Sequence, residues 1–487
     1  MSLAPEVVLV PCAAAALVLR VLPRQGRRYG SVAAALAQLV LALLLALDVA
    51  REGTVTGPTG YFRADALNTW LLVTMALIGA CVAMYSLPYI RTEREHGNVA
   101  RGLRPWYEPM LHASMALLTM TLLTSDLGLI WIGMEAATIV TAFLVAFYRE
   151  DVSLEAAWKY LLLSSVGITL GFFGTILVYY SSLQALGASS RGLDWATLQA
   201  NAGLLDPDVV RLSFVFVLIG YGTKAGLAPM HTWLPDAHSQ APAPVSALLS
   251  AMFLNASFYG LLRFHGITNA AVPGFSGPLL IAFGLLSLLV AVPFIIAQRD
   301  YKRLFAYSSV EHMGIAAIGF GLGGSLATFA ALLHMVNHAI VKAALFFTAG
   351  NLDLAFSTRR IEAVQGVAAS MPATGAGLLL GALAITGAPP FSLFVSEFLL
   401  LTAAVQQGQL AVAAIVILAL VVVFGGFMAH AIRMGHGPRE GPEVREPSRL
   451  GSGVILALLG LSLLFGLWLP APVQRMAAEA ARVLVGA

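Results

Sequence analysis

Apolar segments, each long enough to cross a lipid bilayer as a helix, recur along the whole chain and restrict the possible folds more than any other feature. A helix of about 20 apolar residues spans a hydrocarbon core of ~30 Å. Because lipid cannot satisfy backbone hydrogen bonds, such segments have to satisfy their own as helices. Only 11% of the 487 residues are charged, against about 25% in soluble domains. The sequence therefore predicts an all-α polytopic membrane protein.

We predict about 14 transmembrane helices. Spans seven and twelve are longer than one crossing needs, and each contains a glycine and proline break, within TKAGLAP (223–229) and ITGAPPFSLF (385–394). The predicted spans are residues 3–22, 30–50, 66–87, 109–124, 127–148, 155–181, 209–238, 242–264, 273–297, 302–322, 325–349, 371–404, 409–434 and 451–470.

The two broken spans indicate an internal repeat. Broken helices at corresponding places in two halves are typical of a transport pathway between inverted repeats. The ionisable residues recur as well, since Glu135 precedes Lys224 by 89 residues and Glu311 precedes Glu397 by 86. We therefore predict four units: an N-terminal three-helix segment (1–108), a first five-helix repeat (109–264), a second five-helix repeat (273–434), and a C-terminal helix and tail (451–487).

The distribution of basic residues predicts the orientation in the membrane. Short cytoplasmic loops collect Lys and Arg. The odd-numbered loops hold 17 basic residues, with those at span ends counted in the adjoining loop, and the other loops and the tail hold 7. The start, MSLAPEVVLV, lacks the basic region of a cleaved signal peptide. We expect a multi-pass protein of the cytoplasmic membrane with both termini on the non-cytoplasmic side.

Several chemistries have no support in the sequence. Cys12 and Cys81 lie far apart in apolar segments and form no CxxC pair for zinc or an iron-sulfur cluster. Neither a GxGxxG turn nor a GxxxxGK[ST] loop is found, so nucleotide binding is not indicated. The thinly spread net charge of +3 argues against a nucleic-acid partner. We predict no bound cofactor and no metal.

Lys224 and Glu135 are the most unusual charges in the spans. A charge at mid-bilayer costs at least ~2.5 kcal/mol on insertion scales, so each of the two needs an opposite charge nearby. A lysine whose carboxylate partner moves can take up and release a proton in a cycle. The alternative is a purely structural ion pair, or a lysine bonded to carbonyls freed at the helix break.

Titratable residues recur in the second half of the chain. His334, His338 and Lys342 are spaced i, i+4 and i+8, so they share one helical face and favour a stretch of proton wire. The HxxxH spacing also permits a metal site, although no third ligand is evident nearby in sequence, and the histidines can instead bond neighbouring helices. The further candidates for the pathway are Glu311, His312, Glu397, His238 and Asn255. For His238 and Asn255, an interfacial or packing role is the alternative.

Four segments resemble the antiporter-like subunits of respiratory complex I and group 4 membrane-bound hydrogenases. They are WIGMEAATIVTAFLVAFY, GTKAGLAPMHTWLPDAHSQAPAPVSALL, RDYKRLFAYSSVEHMG and HMVNHAIVKAALFFTAGN. PPFSLFVSEF and AYSSVEHMG are most similar to the F-type subunit of hydrogenase-4 and formate hydrogenlyase systems. The resemblance runs from about residue 60 to 435 and implies 14 helices with two inverted five-helix repeats.

The resemblance also implies residue roles. Glu135 stands where the family has its span-five glutamate, Lys224 where it has the span-seven lysine, and Glu397 where it has an acidic or lysine residue on span twelve. His312, His334, His338 and Lys342 match positions along the family's central polar axis. Asn255 stands where several relatives place a lysine, so relay between the halves is expected to run through water and His338 or Lys342. The short tail, without a long lateral helix, implies a middle or inner member.

We therefore predict a proton-translocating membrane subunit of a redox-driven complex, with no redox or hydrolytic site of its own. Its expected partners are other membrane subunits of the same family, a peripheral redox module, protons or sodium ions, and the lipid bilayer. Three alternatives remain open: a cation/proton antiporter subunit, a proton-flow partner of an inorganic-carbon uptake system, and a scaffold that conducts nothing.

Overall fold

The computed structural model of the chain describes residues 2–99, 102, 105–187, 191–438 and 444–485, and it is 81% helical. This confirms the predicted all-α membrane class. The helices are α1 (Val10–Val18), α2 (Arg24–Glu52), α3 (Ala66–Glu95), α4 (Tyr107–Leu123), α5 (Leu127–Val145), α6 (Asp151–Leu186), α7 (Trp195–Ala200), α8 (Pro207–Ala225), α9 (Trp233–Gln240), α10 (Ala243–Leu248), α11 (Leu254–Ala271), α12 (Ser276–Ile296), α13 (Tyr301–Leu322), α14 (Gly324–Phe356), α15 (Val367–Ser370), α16 (Pro372–Ile385), α17 (Ser392–Gln406), α18 (Leu410–His436), α19 (Arg449–Leu467) and α20 (Ala471–Val485).

Each of the fourteen expected spans coincides with a helix, with helices in direct succession or, in spans seven and twelve, with two helices on either side of a break. A π-helical turn, Leu249–Phe253, joins α10 to α11, and a two-stranded hairpin, β1 (Val55–Thr56) and β2 (Arg63–Ala64), links α2 to α3. Within the described residues, nine helices are long and apolar enough to cross a membrane, and three shorter apolar helices accompany them. The membrane class is therefore confirmed, while the number of fourteen crossings stays a prediction.

Both predicted helix breaks are present. The first separates α8 from α9, where Gly226 adopts a left-handed φ of 77°, and the second separates α16 from α17, where Gly387 has φ 66°. Pro229 and Pro389 lie inside these breaks and have no N–H to donate to the preceding helical turn. Each break therefore leaves carbonyl groups free at the end of a half-helix, in the interior of the bundle.

Matching loop contacts support the predicted repeat. Asp126 caps α5 and forms a two-residue bridge with Asp194, after α6; Asp300 caps α13 and forms the same bridge with Arg360, after α14. In both bridges, the backbone N–H of the residue that follows the capping aspartate donates to the carbonyl of the residue that precedes its bridge partner. The N–H of the residue that follows the partner donates to the carbonyl of the residue that precedes the aspartate, and all four distances are 2.9 to 3.1 Å. The helices on either side thus repeat in the same order, although the unit boundaries stay a prediction.

Residues 471–485, expected as part of a tail, form a helix. Residues 486 and 487 lie outside the described residues. Helix α20 buries Ala477, Ala480, Ala481 and Leu484 and exposes Arg475 and Arg482. It lies against α3 and α14. The apolar residues at i, i+3, i+4 and i+7 carry this helix signal in the sequence.

Glycines allow two helix pairs, one in each half, to approach closely. A Cβ on Gly220 of α8 would lie 2.5 Å from the Gly171 backbone nitrogen of α6. One on Gly284 of α12 would lie 2.5 Å from the Gly314 carbonyl oxygen of α13. Small residues at helix interfaces are how membrane helices gain close packing without a hydrophobic driving force. These contacts fix the helices that carry the site described below.

Replacing Gly284 by Leu should separate α12 from α13 and lower stability by about 3 kcal/mol, because the neighbouring atom is backbone and cannot rotate away. Gly425→Leu is the matched control, since Gly425 is also helical but has no atom within 4 Å of an added Cβ. Thermal unfolding in detergent, followed by size-exclusion chromatography, measures both. Equal melting temperatures for the two variants would contradict the packing argument.

Candidate functional site

Lys224 lies in the last turn of α8, beside the first break, and forms an ion pair with Glu135 of α5. Its Nζ is 3.0 Å from Glu135 Oε2, and it also donates to the Thr138 hydroxyl. The lysine is fully buried, whereas 20% of the Glu135 side chain is exposed. Ser165 of α6 donates to the other carboxylate oxygen at 2.5 Å. The C-terminal end of a helix also favours a cation, so the break stabilises the lysine as well as interrupting the backbone.

Side chains from other helices take up the backbone groups freed at the first break. The Trp233 indole donates to the Thr223 carbonyl at 2.7 Å, and the Ala228 N–H donates to Ser287 of α12 at 2.9 Å. Buried backbone groups need such partners. The break is therefore held in one shape by both halves of the molecule.

Lys342 of α14 is stabilised differently. It is fully buried and donates to the Phe305 carbonyl at 2.5 Å and to the Ser308 hydroxyl. Among the described residues, no carboxylate lies within the 4.0 Å of an ion pair with Lys342. Glu311, one turn further along α13, is its nearest electrostatic partner, and Glu311 Oε2 is buried without a hydrogen bond. The second half thus holds its lysine with neutral oxygens.

Two histidines connect α13, α14 and the second break. His312 Nδ1 is 3.1 Å from His334 Nε2, and His334 Nδ1 is 3.1 Å from the Ser396 hydroxyl. His312 Nε2 is 2.9 Å from the Ile385 carbonyl. A carbonyl only accepts, so with a neutral ring His312 carries its proton on Nε2 and accepts at Nδ1 from His334. The tautomer of the pair is therefore set by the last carbonyl of α16.

Glu397 lies on α17 just beyond the same break. Its carboxylate occupies the space where a Cβ on Gly387 would stand, and its Oε1 is buried without a hydrogen bond. His312, His334 and Glu397 each bring one ligand atom within 4.8 Å of the others. Two imidazoles and a carboxylate suit a divalent transition metal, so this set, rather than His334 with His338, is the group that could hold one. The predicted absence of a metal stays a prediction.

The remaining predicted residues lie between these groups. The His338 ring is centred 5.3 Å from that of His312, and neither His338 nitrogen has a partner among the described residues. His238 stacks on Phe346 of α14 at 5.2 Å, and both of its nitrogens are likewise without a partner there. Asn255 donates to the carbonyls of Ala251 and Met335, and so bridges α11 to α14.

Buried polar atoms without protein partners occur among these residues as well as elsewhere in the described bundle. Those near the candidate site belong to His238, Asn255, Glu311, Asn337, His338 and Glu397. Such atoms are normally satisfied by ordered water. The structure therefore pairs Glu135 with Lys224 and places the other eight predicted residues on or against α13 and α14.

Four partner residues were not predicted. Thr138 lies one turn from Glu135 on the same face of α5, so helical spacing could have identified it. Ser165, Ser396 and the Ile385 carbonyl have no comparable signal, because they come from other helices whose rotation the sequence does not specify.

A bundle of apolar helices with two interior breaks, each beside buried ionisable side chains, defines an ion-translocating type of membrane protein. Residues 124–422 match the family described as NADH:quinone oxidoreductase/Mrp antiporter, transmembrane. The Hydrogenase-4 component F homolog of Methylacidiphilum infernorum is 41% identical over 385 residues, which are 79% of this chain and 81% of that protein. The NADH-quinone oxidoreductase subunit N of Desulforudis audaxviator is 35% identical over 350 residues, which are 71% of this chain and 66% of that protein.

A solved structure shares the whole fold. A chain of the membrane-bound sulfane sulfur reductase, an archaeal respiratory membrane complex, superposes with a TM-score of 0.88 at 24% identity, over 99% of this chain and 97% of that chain. The protein belongs to the NADH:quinone oxidoreductase/Mrp antiporter family and is an antiporter-like membrane subunit. The resemblance found in the sequence is confirmed.

Replacing Glu135 alone by Gln should lower stability by about 3 kcal/mol, because a buried ammonium then loses its counter-charge. This loss of stability is at the low end of the range for a buried ion pair, because the Glu135 side chain is partly exposed. The double variant Glu135→Gln, Lys224→Met removes both charges and should lose less than the single variant. Thermal unfolding of the single and double variants in detergent tests this. If the double variant loses as much stability as Glu135→Gln and Lys224→Met lose separately when added together, the ion-pair argument is contradicted.

Proposed function

We propose that this chain is the proton-translocating subunit of a redox-driven complex in the cytoplasmic membrane. The buried Lys224–Glu135 pair beside the break in span seven is the single observation that carries the proposal. An ionisable pair inside a membrane bundle is costly, and such residues ordinarily mark an ion pathway. The relatives named above are subunits of a hydrogenase system and of an NADH-quinone oxidoreductase.

The mechanism begins with the ion pair. A conformational change in partner subunits moves Glu135 away from Lys224, and the fully buried ammonium then gives up its proton. Moving one charge against 100 mV costs about 2.3 kcal/mol. Removing one partner of a buried pair costs about 3 to 5 kcal/mol. Opening one pair is thus of the right size to move one proton.

The proposed route crosses from the first half to the second. The proton released by Lys224 travels through water near Asn255, then over Lys342, His338 and His334, and leaves through Glu397, which lies beside His334. Asn255 cannot carry a charge, so it holds water between the halves. The unpartnered nitrogens of His338 and the contact of His312 with His334 support a relay there.

Several surfaces of the chain suit a larger complex. The Glu135 side chain is 20% exposed. Within a membrane-spanning helix, this exposed part contacts lipid unless another protein subunit covers it. The neighbouring helix α6 exposes large apolar residues, including Trp158, Phe172, Phe173 and Tyr180. We propose that another membrane subunit covers Glu135 along this face, and that a peripheral redox module drives the whole assembly.

Lys224→Ala should abolish proton pumping while the complex still assembles. Inverted membrane vesicles from a strain that lacks the native gene are energised with hydrogen or NADH, and fluorescence quenching of an acridine dye reports acidification. Lys159→Ala is the control, because Lys159 is half exposed on α6 and forms its ion pairs at the surface. We expect wild-type acidification in the control.

The outcomes separate the functions. Pumping at the wild-type rate in Lys224→Ala removes this residue from the pathway. If Glu135→Gln reduces only the amount of assembled complex on native gels, and pumping per complex is unchanged, a non-conducting scaffold is the correct function.

Both termini are proposed to lie outside the cytoplasm. Alkaline phosphatase fused after Ala487 should therefore be active, because the enzyme folds only outside the cytoplasm, and a green fluorescent protein fused there should be dark. A fusion in the short loop between α12 and α13, after Gln298, should give the opposite pair of signals. A fluorescent C-terminal fusion would reverse the proposed orientation.

A further inference from the structure

A polar cleft opens at the end of the bundle where α3, α5 and α14 finish. Its volume is about 680 Å³, and its walls include Glu93, Tyr148, Asp353, Thr358 and Arg359. These residues lie in or beside the loops that the basic-residue count assigns to the cytoplasm. A cleft of this size holds many water molecules. It lies outside the pathway described so far.

Acidic groups of the cleft are held in place by hydrogen bonds and one ion pair. Arg359 is 3.6 Å from Asp353 and donates to Gln240 at 2.7 Å. Glu93 accepts from Asn98 at 3.2 Å. Carboxylates beside water can collect protons from solvent and hold them near the mouth of a channel.

Lys302 lies directly beneath this cleft. It belongs to the first turn of α13 and is fully buried, and its Nζ donates to the Ala241 carbonyl at 2.6 Å. The preceding residue, Tyr301, donates to the carbonyl of Thr358 in the cleft wall at 3.2 Å. Among the described residues, no carboxylate forms an ion pair with Lys302 within 4.0 Å. The cation Arg359 and the carboxylates Asp353, Asp300 and Glu93 act on its charge from further away.

His238 connects Lys302 to the central groups. Lys302 bonds the carbonyl of Ala241, three residues after His238, and the charges of Lys342 and Lys302 both act on the His238 ring. The ring stacks on Phe346, one helical turn from Lys342, and both ring nitrogens are buried without a protein partner in the described residues. Two unpartnered imidazole nitrogens between two buried amines need donors or acceptors, and water is the group that fits.

The residues therefore form a line on one face of α13. Lys302 precedes Phe305 by one turn, Phe305 and Ser308 hold Lys342, and His312 follows one turn later. At 1.5 Å per residue, Lys302 and His312 are ~15 Å apart along the helix. This is about half the hydrocarbon thickness.

We propose that Lys302 is the proton-uptake residue of the second half and that it feeds Lys342 through His238. The inference rests on the proposed function and adds a second uptake point to it. In each step the Lys302 ammonium gives one proton through water to a nitrogen of His238, whose other nitrogen passes a proton to the Lys342 amine. The neutral Lys302 then takes a proton from water in the cleft. One N–H bond forms for each that breaks, and no other reactant is needed.

The structural alternative is that Lys302 only anchors the linker between α9 and α10. Its bond to the Ala241 carbonyl, next to Pro242, suits that role. Lysine and arginine distinguish the two roles, because arginine keeps the charge and the donor but does not release its proton at any physiological pH. An anchor tolerates Lys302→Arg, and a proton relay does not.

The test uses the assembled complex in inverted vesicles, energised with hydrogen or NADH. Lys302→Arg should assemble normally and lower the rate of acidification at least about tenfold, in keeping with the loss of one acid–base group. His238→Gln should lower the rate of acidification by a similar factor, because glutamine forms hydrogen bonds with water but does not take up and release a proton. Lys159→Arg, which changes an exposed amine at the same end of the bundle, should pump at the wild-type rate.

A second variant covers the case in which arginine does not fit. Lys302→Cys is expected to pump poorly, and treatment with 2-bromoethylamine converts its thiol into a lysine isostere. Recovery of pumping after treatment from the cytoplasmic side supports both the amine's role and its access through the cleft. The buried Cys12 and Cys81 are present in the wild-type protein, whose pumping should not change with the reagent.

Two results would overturn the inference. One is wild-type pumping in Lys302→Arg, and the other is a Lys302→Cys variant that pumps normally without the reagent. Either result leaves the proposed function intact as long as Lys224→Ala remains inactive. If Lys224→Ala also pumps normally, the proposed function fails instead, so the two failures are distinguishable.

Discussion

The ion pair between Lys224 and Glu135 is the interaction on which the arrangement of the first half depends. A buried ammonium has lost its water, and only an opposite charge or several oxygens can replace that solvation. Here the carboxylate lies on α5, the ammonium on α8, and the serine that orients the carboxylate on α6. Three helices are thus held in register by one pair of charges. The break after Ala225 adds the favourable end of a helix dipole at the same place.

The second half meets the same constraint with different groups. Lys342 bonds a carbonyl and a hydroxyl, and Glu311 and Glu397 each keep one buried oxygen without a protein partner. Neutral oxygens stabilise an ammonium less than a carboxylate does, so the two halves differ in how they compensate for the burial of a lysine. The first half pairs its lysine with a carboxylate, whereas the second half leaves buried carboxylate oxygens that ordered water could satisfy.

The sequence predicted the features that are determined by one large free-energy cost. Helices follow from the absence of hydrogen-bonding partners in lipid, and the pairing of Glu135 with Lys224 follows from the cost of either charge alone. Contacts that depend on helix rotation were not predictable, such as those of His334 with Ser396 and His312 with Ile385. Lys302 was counted among the loop cations, because a lysine near a span end normally extends to the interface. The structure buries it completely.

The second break links helix geometry to the proton route through one missing N–H. In an unbroken helix the Ile385 carbonyl would accept from residue 389, but that residue is proline. The carbonyl is left free and accepts from His312 instead, at 2.9 Å. This bond fixes which nitrogen of His312 faces His334, so with neutral rings His334 Nε2 donates to His312 Nδ1, and His312 Nε2 donates to α16. In the first break an indole, which cannot relay a proton, donates to a carbonyl of α8. The two breaks are alike in backbone and differ in the side chain that donates to the freed carbonyl, an indole in the first and an imidazole in the second.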